Sequence, residues 1–151
     1  IINENPQLKD KIEMRLQKNP QQIFEGIILK TDKIDVAICN PPFHPTLEDA
    51  EKGNRRKTNN LSDKKSSKTL LNFSGNTNEL IYEGGEIQFI ENMISESVHY
   101  SENIKWFTTL VSKQSNLKKI DLLLEKIKTK ETRTIEMGTG NKSTRIVAWK
   151  F

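Results

Sequence analysis

At 151 residues, 34% hydrophobic and 29% charged, the chain has the size and composition of one folded domain with a core of its own, and not of a disordered segment. No run approaches the roughly 18 apolar residues of a membrane span, no basic-then-apolar leader is visible, and a single cysteine excludes an internal disulfide. Two histidines and one cysteine without ligand-like spacing point away from a metal site. The expectation is a cytoplasmic protein with no membrane and no metal among its partners. The net charge of +4 is unevenly placed. Residues 52–68 hold seven basic side chains against one acid, so this stretch carries +6 and the remainder is slightly acidic.

The chain begins at Ile1 without a methionine, as a piece of a longer protein would. Leu8, Ile12 and Leu16 fit a helical face, but Ile12, Met14 and Leu16 also alternate with Glu13, Arg15 and Gln17. The alternation is unbroken and Pro20 follows, so residues 11–17 are predicted as a strand. Asn19-Pro20-Gln21-Gln22 reads as a turn, and residues 23–28 as a short helical turn or irregular segment. Ile34-Asp35-Val36-Ala37-Ile38-Cys39 is short, apolar and β-branched, and predicts a buried strand. Cys39 within it is a small buried residue.

Asn40-Pro41-Pro42-Phe43 ends that strand. Neither proline can donate to a sheet ladder, and each holds the residue before it extended. The result is a rigid tetrapeptide at the carboxyl end of a strand, where open α/β sheets bind ligands. Such a segment suits a planar ring bearing an amino group. The exocyclic amine of adenine is a poor nucleophile because its lone pair is delocalised into the ring. Two acceptors can pull the amine toward a pyramidal geometry; the Asn40 side-chain oxygen and the Pro41 carbonyl would serve, with Phe43 as a face for stacking worth about 1–3 kcal/mol per base. The alternative is a strand that ends in an Asn-Pro turn, with Phe43 in the core.

Residues 44–79 have no sustained period and are rich in Lys, Asn, Ser, Thr and Asp. They read either as a flexible solvated loop or as a basic insert that grips the phosphate backbone of a nucleic acid. Its candidate phosphate contacts are Arg55, Arg56, Lys57, Lys64, Lys65 and Lys68. Glu83-Gly84-Gly85-Glu86 opens a helix whose apolar face is Ile87, Phe89, Ile90, Met93, Ile94 and Val98, with Glu86 suited to the helix dipole. The two glycines serve either a tight turn or a close approach of backbone to substrate. Residues 104–112 predict another buried strand. Leu117, Ile120, Leu123, Leu124 and Ile127 predict a second helix, capped by Ser115 or Asn116. Residues 132–137 and 144–151 predict two last strands, joined through Gly138-Thr139-Gly140-Asn141. His44 and His99 read as surface or capping residues rather than catalytic ones. The whole is an α/β sheet ending in an antiparallel hairpin.

The stretch Asp35 through His44 resembles the catalytic motif of amino-methyltransferases that use S-adenosylmethionine. With Leu71-Asn72-Phe73-Ser74-Gly75, Asn78-Glu79-Leu80, Glu83-Gly84-Gly85-Glu86 and Trp106-Phe107-Thr108-Thr109-Leu110-Val111-Ser112, the chain is similar to the ribosomal large-subunit RNA adenine-N6 methyltransferase F family. Eukaryotic relatives of that family modify adenosine in U6 small nuclear RNA. The resemblance spans nearly the whole chain. It implies a Rossmann-like class I methyltransferase sheet ordered 3-2-1-4-5-7-6. Residues 11–17, 34–39, 104–112, 132–137 and 144–151 would be strands 3, 4, 5, 6 and 7. Strands 1 and 2, with their Gly-rich and acidic cofactor loops, are absent. The chain would be the C-terminal part of the domain, inactive alone, and would need an upstream segment of the same protein.

The resemblance further implies S-adenosylmethionine as cofactor and ribosomal RNA as partner. Asn40, Pro41, Pro42 and Phe43 would form the catalytic motif, and Asn40, Gln22 and Ile23 would border the cofactor. The alternatives are a non-catalytic RNA-binding fragment, or an amino-methyltransferase acting on DNA or on a protein glutamine.

Overall fold

A computed structural model describes residues 4–42, 44–49, 81–139 and 142–151. Its strands and helices follow one another as β1 (Ile34–Cys39), α1 (Gly85–Ser97), β2 (Ile104–Val111), α2 (Leu117–Lys126), β3 (Glu131–Thr139) and β4 (Lys142–Lys150). Short 3-10 turns occupy Pro6–Leu8, Val98–Tyr100 and Gln114–Asn116. The four strands form one sheet in the order β1-β2-β4-β3. β1 and β2 run parallel, with Ile34 beside Ile104 and Cys39 beside Thr109. β4 lies antiparallel to both β2 and β3. This is the 4-5-7-6 half of the expected sheet.

Side-chain alternation gives the sheet two unlike faces. Phe107, Val111, Val147 and Trp149 project from one face and are buried with Ile90, Met93 and Ile94 of α1 and Ile120 and Leu124 of α2. Phe107 and Trp149 stack with ring centres 5.6 Å apart, and the indole Nε1 donates to Ser97 Oγ at 3.0 Å. The buried indole thus keeps a partner for its polar atom. The opposite face is apolar but uncovered among the described residues. Val36, Ile38, Ile135 and Met137 lie on it at 48, 86, 50 and 39% exposure. Arg133 and Lys150 close over the Trp106 ring at 5.1 and 4.6 Å.

Three expectations require correction. Residues 11–17 form no strand. Ile12, Met14 and Leu16 are exposed, and no described strand pairs with the segment. It is held instead by Arg15, which donates to Ile27 O at 2.8 Å and pairs with Asp32. β1 is not a buried strand, because it pairs on one side only among the described residues and presents Val36 and Ile38 to solvent. Asn116 precedes α2 but makes no side-chain cap, since its amide is engaged elsewhere.

Candidate acceptor site at the carboxyl end of β1

Asn40 follows β1 directly and its side chain is exposed, whereas Pro41 is buried and Pro42 half-buried. The prolines fix the backbone and leave the amide free to reach a ligand. Phe43 lies outside the described residues, as do Arg55, Arg56, Lys57, Lys64, Lys65 and Lys68. Past the motif, His44 bridges Ile81, and its carbonyl accepts from Tyr82 N at 3.0 Å.

The Glu83-Gly84-Gly85-Glu86 segment supplies the adjoining wall. Gly84 and Gly85 have φ of +82° and +68°, in the left-handed region that glycine enters without penalty. A Cβ on Gly84 would lie 2.5 Å from Gln88 Cβ, and one on Gly85 would meet Pro45 Cδ at 3.4 Å. Of the two roles open to these glycines, the structure shows a tight turn into α1, packed on Pro45. Gly85 N–H donates to Tyr82 O at 2.7 Å within that turn.

Glu86 does more than face a helix dipole. It is 2% exposed and accepts from Ser112 N at 2.7 Å, Lys113 N at 3.3 Å and Asn116 Nδ2 at 2.8 Å. The carboxylate thereby binds the start of α1 to the chain leaving β2. β1 and β2 are parallel, so this junction lies at the same end of the sheet as Asn40.

Tyr82 reaches a further segment. Its hydroxyl accepts from Asn92 Nδ2 at 2.7 Å and approaches Gln21 Oε1 at 3.5 Å. Gln22 and Ile23 follow, both half-buried, in a loop whose Ile23 N, Phe24 N and Glu25 N all donate to Glu96. The structure therefore links Asn40, Pro41 and Pro42, through His44 and Tyr82, to the loop bearing Gln22 and Ile23. Tyr82, Glu86 and Glu96 were not among the sequence-derived site residues. Only Glu96 carried a flag, since an acid in the last turn of a helix opposes the dipole and so needs another reason to be there.

Cys39 is the residue before Asn40. Burial pushes its thiol up to about 11, against a smaller opposing effect of a hydrogen bond with Thr109. Such a thiol stays protonated near neutrality and is a packing group rather than a nucleophile.

The sheet order β1-β2-β4-β3, with one parallel pair and a terminal antiparallel hairpin, matches half of a class I methyltransferase sheet. The chain belongs to a family of RNA methyltransferases, whose model matches residues 1–151. It is 50% identical over 151 residues to the ribosomal RNA large subunit methyltransferase F of Bacteroides fragilis, covering all of this chain and 50% of that protein. The protein of the same description from Shewanella denitrificans is 48% identical over 159 residues, with all of this chain and 44% of the relative covered. The chain thus spans about half the length of the curated relatives it matches.

Among solved structures, the fold is shared with the hMettl16 catalytic domain in complex with the MAT2A 3′UTR hairpin 1. The TM-score is 0.75 at 24% identity, over 99% of this chain and 49% of that one. The N-terminal domain of human METTL16 in complex with SAH matches at a TM-score of 0.63 and 18% identity, over 99% of this chain and 45% of that one.

Proposed function

We propose that the protein carrying this chain transfers a methyl group from S-adenosylmethionine to the N6 amine of an adenosine in RNA, with large-subunit ribosomal RNA as the substrate. The observation that carries this reading is Asn40: an exposed amide on a proline-locked backbone, at the carboxyl end of a strand, in a chain of an RNA methyltransferase family. The relatives named for ribosomal RNA and the RNA-bound structural neighbour support the substrate class. The neighbour bound to SAH supports the cofactor.

The bound cofactor would supply an electrophilic methyl on its sulfonium. The rest falls to residues of this chain. The Asn40 side-chain oxygen and the Pro41 carbonyl would accept hydrogen bonds from the two N–H groups of the amine, freeing its lone pair and fixing its direction of approach; as the C–N bond forms the S–CH3 bond breaks, the thioether leaves, and the amine releases one proton to solvent. Positioning and electrostatic preorganisation, rather than a strong general base, carry such a transfer. Phe43 would stack on the base, which must be unstacked from its neighbours to enter. Gln22 and Ile23 fit one edge of the cofactor, an amide and an apolar side chain beside the Tyr82 junction. No Gly-rich cofactor loop stands among the described residues.

An upstream portion of the same protein would supply that loop and complete the sheet beside β1. Among the described residues one edge of β1 is unpaired and Val36 and Ile38 are uncovered; these and the half-length match to the relatives favour this. The basic side chains from Arg55 to Lys68 would hold the RNA backbone, as their concentrated charge favours.

The test is Asn40→Ala in the complete protein, assayed with radiolabelled methyl donor. The rate should fall about 10²–10³-fold, the usual cost of one preorganised polar group. Near-normal turnover removes Asn40 from the site and the reading with it.

A further inference from the structure

Three consecutive backbone N–H groups of the 23–25 loop converge on one carboxylate. Glu96 Oε2 accepts from Ile23 N at 2.8 Å, and Oε1 accepts from Phe24 N at 2.9 Å and Glu25 N at 2.6 Å. The two partners are 73 residues apart at Ile23, so no local turn accounts for the contact. Glu96 stands in the last turn of α1, where the helix dipole disfavours an acid. The loop, not the helix, therefore explains the residue. Charge-assisted bonds of this kind are about twice as strong as neutral ones.

Other contacts make the loop rigid. Phe24 is buried, with its ring 5.6 Å from Tyr100 and 5.5 Å from Phe107. Tyr100 Oη donates to Glu25 Oε2 at 3.0 Å, and Gln17 Nε2 to Glu25 O at 2.7 Å. The start of α1 packs on Pro45 and its end holds residues 23–25, so one rigid helix sets the distance between the acceptor motif and this loop.

We propose that Glu96 is a positioning residue for the cofactor: it presents Gln22 and Ile23 as a preformed edge for the adenine of S-adenosylmethionine. The proposal rests on the methyltransferase reading above and adds a residue that touches neither methyl donor nor acceptor. Replacing the carboxylate loosens the loop, and the cofactor must then order it on binding.

The experiment is steady-state kinetics of the complete protein with Glu96→Gln, varying S-adenosylmethionine and RNA separately, together with amide hydrogen exchange. Glutamine keeps the size and one acceptor oxygen but turns an NH₂ toward the loop. KM for the cofactor should rise about tenfold as the loop loses its preorganisation, with kcat changed by less than about threefold and KM for RNA unchanged. Exchange at Ile23, Phe24 and Glu25 should quicken while the amides of α1 stay protected. A lower melting temperature with an unchanged cofactor KM would make Glu96 a purely structural contact and overturn the proposal. If Glu96→Gln does not fold, the shorter Glu96→Asp must show the same split, and an unchanged cofactor KM there overturns it equally. Asn40→Ala, measured alongside, reports on the parent reading. Its normal turnover would sink that reading, whereas a dead Asn40→Ala with a normal Glu96→Gln sinks only the positioning role.

Discussion

Replacing Glu86 by alanine removes one acceptor from three donors at once: Ser112 N at 2.7 Å, Lys113 N at 3.3 Å and Asn116 Nδ2 at 2.8 Å. A hydrogen bond to a charged group contributes about 1.5–3 kcal/mol, and breaking a fully buried charged arrangement costs about 3–5 kcal/mol. Here the acceptor is 2% exposed, but the donors lie on a half-buried segment that water can reach, and one bond is long. The expected loss is therefore near the low end, about 3 kcal/mol. For a domain of this size that lowers the melting temperature by about 6–12 °C. Glu86→Gln keeps one acceptor oxygen and should cost about half as much. Urea titrations followed by tryptophan fluorescence read both variants, since Trp149 is buried against Phe107 and reports on the core. A loss under about 1 kcal/mol for Glu86→Ala, at unchanged m-value, would show that the three bonds exchange for water without penalty.

Neutralising Arg55, Arg56 and Lys57 together should weaken RNA binding and flatten its salt dependence, by roughly 0.7–0.9 in log–log slope for each phosphate no longer neutralised. A triple variant with the parent slope and affinity leaves the segment a solvated loop. Arg15, followed by the backbone N–H of Leu29, holds the Asp32 carboxyl below its ordinary value of 3.8. A carboxyl with a depressed folded-state value stabilises fully above its unfolded value and loses that contribution as acid protonates it. Asp32→Asn should therefore be less stable than the parent at pH 6, with the gap closing below about pH 4; a gap constant with pH refutes the Arg15–Asp32 lock. Calorimetric titration of S-adenosylmethionine into residues 1–151 alone should show no tight binding. A dissociation constant in the low micromolar range, about −8 kcal/mol, would mean that the chain builds a cofactor site without an upstream portion.

β1 was legible in the sequence to the residue, because an apolar β-branched run bounded by turn residues has few other ways to fold. α1 and α2 declared themselves through helical spacing, and the hairpin of β3 and β4 through two strand-like runs with a Gly-rich junction between them. Alternation misled at residues 11–17, since a strand also needs a neighbour to take its N–H and C=O groups, and none is offered there among the described residues. Apolar composition misled at Ile38, which is 86% exposed: it marks a residue fit for burial without saying what covers it. Asn40 and the prolines were readable because their chemistry is local. The partners of Glu86 and Glu96 were not, because a carboxylate that gathers N–H groups from distant segments leaves no periodic trace in its own neighbourhood; the place of Glu96 in the last turn of a helix marks the residue without saying what it holds.

The sheet joins strands that are near in sequence to one that is not. β2, β4 and β3 come from residues 104–150, whereas Thr108 Oγ1 reaches Ala37 O across 71 residues. Closing a connection of that length costs about 4 kcal/mol of chain entropy, on the (3/2)RT ln n scaling, while the terminal hairpin closes cheaply. On that ground folding of the chain alone should nucleate on the C-terminal strands, with β1 docking later onto a prepared β2. In the chain alone the strand bearing Asn40 would then leave before the hairpin opens, whereas an upstream strand paired beside it would hold it on both sides. Occupancy of the acceptor site would then hold β1 in place, so a bound adenosine would raise the protection of β1 amides more than those of β3 or β4.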